Sequence, residues 1–198
     1  MVYTTMKSIS LLCLVFSSVL LHAQQPVVLE YATVSTFQWG LFQGKINQRH
    51  IDEMGENTGA VTVSSISYTA LQISPDAATV TITARFHPEE SWTRYPHLNK
   101  PEEALEHEKK HFELTEVYAR KLRKLVSNSR YSAARFKDEI NKQFTDLVTQ
   151  HRAEQVRYDH ETNHSIDHHQ QIKWNARIEE QLESLNTYSK TTVTIKFK

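Results

Sequence analysis

The spacing of apolar and polar positions divides the chain into two halves. In the first, "PVVLEYATVS" (26–35) is β-branched and apolar. "AVTVSSISYTALQI" (60–73) and "ATVTITARF" (78–86) alternate with the period of two that suits a half-buried strand. Ser74-Pro75-Asp76 between them marks a turn. Residues 38–59 hold all four glycines and read as loop with one short element. The period then becomes helical. Asn99, Pro101 and Glu102 form a start signal. After it, Leu105, Glu108, His111, Phe112, Thr115, Tyr118, Ala119, Leu122, Leu125 and Val126 fall on one stripe. A second helix is expected from Ser132 to about Tyr158, on Phe136, Ile140, Phe144, Leu147, Val148 and His151. A third is expected from Ile166 to Asn186, and "TTVTIKF" (191–197) reads as a last strand. This order predicts an α+β fold: a small mixed or antiparallel N-terminal sheet, three helices and a short C-terminal strand.

The run from Ile9 to Leu21 is apolar without amphipathic spacing, follows Lys7 and ends at Leu21-His22-Ala23. These features predict a signal peptide over residues 1–23, too short to span a bilayer comfortably. The expected product is a secreted or periplasmic chain without stable membrane insertion, with residues 24–198 forming one domain. Cys13, the single cysteine, lies inside the run, so disulfides and thiolate metal sites are excluded from the mature domain. Lys plus Arg and Asp plus Glu number 23 each, which leaves no field to attract nucleic acid. Histidine is lopsided: seven of eleven lie between His107 and His169.

"EHEKKHFE" (106–113) contains the H-E-x-x-H pattern. With this many His and Glu, a random arrangement produces it in about one chain in twenty, so its meaning depends on context. On a helix, His107 and His111 share a face and can offer two imidazoles to one ion. Glu108 sits beside that ion and can take a proton from a water whose pKa zinc has lowered. Glu108 and His111 belong to the apolar stripe, whereas Glu106, Lys109, Lys110 and Glu113 read as solvated charges. A third ligand is needed. Leu114 and Val117 stand where the extended H-E-x-x-H-x-x-G-x-x-H motif requires Gly and His, so that form is excluded. The stretch "YDHETNHSIDHH" (158–169) offers Asp159, His160, Glu161, His164, His168 and His169 instead. Asp159 also suits a carboxylate that orients a ligand imidazole, or a helix cap. Tyr158 suits either packing or donation to a developing oxyanion.

In order along the chain stand Phe42-x-Gly44, "SSISY", a strand before Ser91-Trp92, "HEKKHFELTEVYARKLRKL" and "YDHETNHS…QQIKWNARI". This series resembles a family of secreted bacterial domains of unknown function, described as predicted zinc-dependent proteases. The likeness covers most of residues 37–185, and the helix and the Tyr-Asp-x-x-Thr-x-His pattern are its specific parts. The resemblance implies Zn2+ bound by His107, His111 and His164, with Glu108 as the catalytic carboxylate. The family often has Gly after the last histidine, where this chain has Ser165. The expected function is that of a zincin-like metallopeptidase acting on a peptide or protein substrate, with Glu108 as general base. By analogy, an edge strand, "ATVTITARF", holds the extended substrate. The alternative is a non-catalytic metal-binding or interaction module of the same fold.

Overall fold

The strand-forming residues meet in a hairpin. β3, Ser64–Ser74, turns through Pro75 and Asp76 into β4, Ala77–Phe86, in antiparallel register from Ser64↔Phe86 to Ser74↔Ala77. The computed structural model describes residues 27–55, 58–95 and 101–198; the expected signal peptide, residues 1–23, lies outside them, as does Asn99 of the helix-start signal. On its other side β4 pairs antiparallel with β1, Leu29–Glu30, at one end and with β6, Thr192–Lys196, at the other. β4 is therefore the buried centre of the sheet, with Ala78, Val80, Ile82, Ala84 and Phe86 in the core. Among the described residues β3 is left as an edge. The expectation that "ATVTITARF" is an edge strand open to substrate is thus corrected: both sides of β4 are already paired.

A smaller sheet joins β2, Ala60–Val61, to β5, Trp92–Thr93. Ile51 of α1, Gln48–Met54, packs with Val61 and Trp92 into a second, small core. The alternation over residues 60–73 is one pattern in sequence but two strands in space. At Val63 the backbone N–H donates to Ser91 Oγ and the carbonyl accepts from His87 N–H, each at 2.9 Å, and the chain changes sheets. Thr62 Oγ1 donates to Glu108 O (3.1 Å) and fastens this corner to the first long helix.

That helix, α2, Glu102–Asn128, packs on the large sheet and is flanked by α3, Phe136–Thr162, and α4, His168–Ser184. Phe112, Leu114, Val117, Ala119, Leu122 and Val126 supply its core face. Because neighbours surround it, α2 buries charges as well. Lys110 is 1 % exposed and donates to Glu113 (2.8 Å) and Glu179 (2.7 Å). The solvated position expected for Lys110 and Glu113 is corrected: α4 covers that side, and buried charges persist there because they are paired. The strand expected over residues 26–35 is also shorter. Only Leu29 and Glu30 pair, and the chain then turns at Tyr31–Thr33, where Tyr31 packs edge-on against Phe112 at 5.3 Å.

Candidate metal centre

His107 and His111 stand one turn apart on α2, and α3 brings Asp159 against both. The two Nε2 atoms are 3.2 Å apart, and Asp159 Oδ1 lies 3.2 Å from that of His107 and 2.9 Å from that of His111. Zinc bonds such donors at ~2.1 Å, which for a tetrahedral ion spaces them by ~3.4 Å. The triangle is slightly tighter than that, so an ion fits with small outward shifts of its donors. Among the described residues no other three His, Cys, Asp or Glu side chains gather this way.

The imidazoles are oriented from behind. Gln171 Oε1 lies 3.0 Å from His107 Nδ1, and Gln155 Oε1 lies 2.6 Å from His111 Nδ1. Both amides are fixed by their other ends. Gln171 Nε2 donates to Tyr158 Oη and Asn175 Oδ1, and Gln155 Nε2 donates to His111 O and Thr115 Oγ1. Each amide oxygen therefore accepts a hydrogen bond from Nδ1–H, which leaves Nε2 of each ring to face the shared point. Tyr158 stacks on His107 (centroids 4.6 Å, 20°) and donates to its carbonyl (3.2 Å). Its hydroxyl is thus committed to holding α2, and burial pushes its pKa up.

Within the triangle the imidazole and the carboxylate stabilise each other's charge. Burial opposes charge on His111, but the Asp159 carboxylate outweighs it and raises the imidazole to about 9. Burial likewise opposes charge on Asp159, yet the charge of His111 and the hydrogen bonds of both imidazoles hold its carboxyl far below the usual range.

Glu108 is 6 % exposed, and its Oε2 has no hydrogen-bond partner among the described residues. An unpaired buried carboxylate oxygen costs free energy unless a ligand or water completes it. Glu108 faces a groove of about 980 Å³ that also contains the triangle. One wall is the β2–β3 segment, and the other is α3, with Phe144, Val148 and Val156. His87 N–H bonds Val63 O, and the register pairs Ser64 with Phe86. The backbone N–H and C=O of Ser64 and Ile66 therefore point away from β4, along the free edge.

His164 lies at the groove's rim, 47 % exposed at its side chain, with Nδ1 3.7 Å from Asp159 Oδ1. Asn163, His164 and Ser165 all have positive φ (46°, 52° and 75°), so the chain turns sharply after α3. The structure thus brings Asp159 into the donor triangle and sets His164 at the rim, beside the same carboxylate oxygen. His160, His168 and His169 are exposed. Glu161 turns to Arg157 and Trp174. Gln155, Gln171 and Tyr95, which also lines the groove, were not singled out by sequence reasoning. Gln155 follows His151 by four on the α3 stripe, a spacing that could have flagged it; Gln171 stands in the "QQIKWNARI" stretch of the resemblance, without an assigned role.

A family model described as "Bacterial protein of unknown function (DUF922)" matches residues 31–165. The matched span includes β2 to β5, His107, Glu108, His111, Asp159 and His164, and stops before β6 and Gln171. No match was found among curated proteins, and none among solved structures.

Proposed function

The chain belongs to this family of bacterial proteins of unknown function, and we propose that it is a secreted, zinc-dependent metallopeptidase with a zincin-like pairing of helix and strand edge. The observation that carries the reading is the buried Oε2 of Glu108, unpaired among the described residues, in the groove that also holds three donor atoms at ligand spacing. His107, His111 and Asp159 would hold the ion. When bound there, zinc supplies Lewis acidity toward a carbonyl and lowers the pKa of a water. Glu108 takes the proton of the attacking water and passes it to the leaving amine. Gln155 and Gln171 keep both ligand rings in the productive tautomer. The free edge at Ser64 and Ile66 offers backbone hydrogen bonds to an extended peptide, and Phe144, Val148 and Val156 offer apolar contact to its side chains.

The test is metal analysis of the exported protein, purified without a His tag or chelating resin, followed by assay against a mixed peptide library. One zinc per chain with peptide cleavage supports the reading. A metal-free chain that takes up no zinc on titration would overturn it, as would iron in zinc's place.

A further inference from the structure

A peptidase of this kind needs a donor for the carbonyl oxygen as it gains negative charge. The expected donor, Tyr158, is spent on the His107 carbonyl. Four other groove hydroxyls are engaged: Thr58 Oγ1 on Gly55 O, Thr62 Oγ1 on Glu108 O, Ser64 Oγ with Thr115 Oγ1, and Ser65 Oγ with His87 Nε2. Tyr95 is different. It lines the same groove, and its hydroxyl makes no hydrogen bond among the described residues. Its ring is held edge-on by Trp39 at 5.6 Å, and its backbone N–H donates to Thr93 Oγ1 (3.2 Å).

The seat of that ring is Gly59. A Cβ at position 59 would collide with the Tyr95 hydroxyl and ring. Gly59 is thus a glycine because the phenol end occupies the space a side chain would take. Resting on the metallopeptidase reading, we propose that Tyr95, seated on Gly59, is a catalytic residue that donates its hydroxyl hydrogen bond to the substrate carbonyl oxygen. The proton stays on Tyr95 throughout; as the carbonyl carbon becomes tetrahedral, the bond shortens and strengthens. Burial, aided by the charge of Glu108, raises the phenol pKa, which keeps it a donor at neutral pH.

The test uses the mature zinc-loaded protein and two substitutions that approach the hydroxyl differently. Tyr95→Phe deletes it, and Gly59→Ala pushes it aside. Zinc content, thermal midpoint, kcat and KM are measured with a peptide that the wild type cleaves, and Kd with phosphinic tripeptides, whose anionic tetrahedral oxygens accept the same hydrogen bond. Loss of one such donor lowers kcat by roughly 10²–10³. Both variants should show that loss and a comparable weakening of phosphinate binding, with KM, zinc content and midpoint near wild type. A Tyr95→Phe enzyme within about twofold of wild-type kcat overturns the assignment. So does a large loss in His50→Gln with none in Tyr95→Phe, which moves the role to the neighbouring groove imidazole. Zinc-loaded wild type that neither cleaves any peptide nor binds any phosphinate instead overturns the metallopeptidase reading, and this assignment with it.

Discussion

At Asp159 a single carboxylate oxygen reaches both His107 and His111, and His164 Nδ1 lies 3.7 Å from the same atom. Deleting a ligand and deleting a supporting group differ in cost. Asp159→Asn should abolish tight zinc binding, because only two protein donors remain. His164→Ala should weaken it by about 10–100-fold, the usual effect of an outer partner. Competition with a chromogenic chelator measures both, and the reverse ranking would make His164 the third ligand. His151 bears on pH dependence. Burial, and then the charge of His111, lowers its pKa from 6.5 to about 4. As pH falls, the unfolded chain takes up this proton first while the folded protein refuses it. Stability is therefore complete above the unfolded value of 6.5 and falls progressively toward pH 4. At about 1.4 kcal/mol per unit, the loss is about 3 kcal/mol. Urea unfolding in chelator near pH 7 and again near pH 4 should show His151→Gln losing less stability than wild type by about that amount. Parallel losses in the two proteins would exclude His151 as the cause.

Among the elements, the turn after α3 holds three consecutive residues at positive φ. Asn163 tolerates this conformation as the helix cap; its N–H bonds the carbonyls of Asp159 and His160. Ser165, at φ 75°, has no such excuse and carries a Cβ cost of about 1–2 kcal/mol. Ser165→Gly should relieve it, less the extra freedom glycine gains in the unfolded chain. The expected net gain is about 1 kcal/mol, or a rise in thermal midpoint of ~2–4 °C by calorimetry. A lower midpoint would mean the serine side chain contributes something that outweighs the strain. Along the groove, β3 and α3 form walls of different character. The strand presents backbone donors and acceptors at Ser64 and Ile66, and the helix presents the apolar side chains of Phe144, Val148 and Val156.

For the molecule as a whole, the sequence revealed most where local periodicity and burial agree. The α2 stripe was legible because Phe112, Tyr118 and Leu122 repeat at helical spacing and the same face is buried. The short extent of β1 was not, since β-branched residues favour a strand without specifying a partner, and β4 offers only Arg85 and Phe86 there. Pairing of β6 with β4 links residues 192–196 to 77–81, and no local pattern encodes it. The motif helix and the segment containing Tyr158, Asp159 and His164 were both visible. Which of these faces the histidines depends on the phase of α3 and on the positive-φ turn that follows it. Lys110 looked solvated because its partner Glu179 comes from a different helix, 69 residues away. The central claim joins the donor triangle to Glu108, whose only assigned work is proton transfer. Glu108→Gln keeps the size of the side chain and removes its basicity. With zinc content and peptide turnover measured on the same sample, the account predicts unchanged zinc and a loss of about 10²–10⁴ in kcat. Unchanged turnover, or loss of the zinc itself, would contradict it.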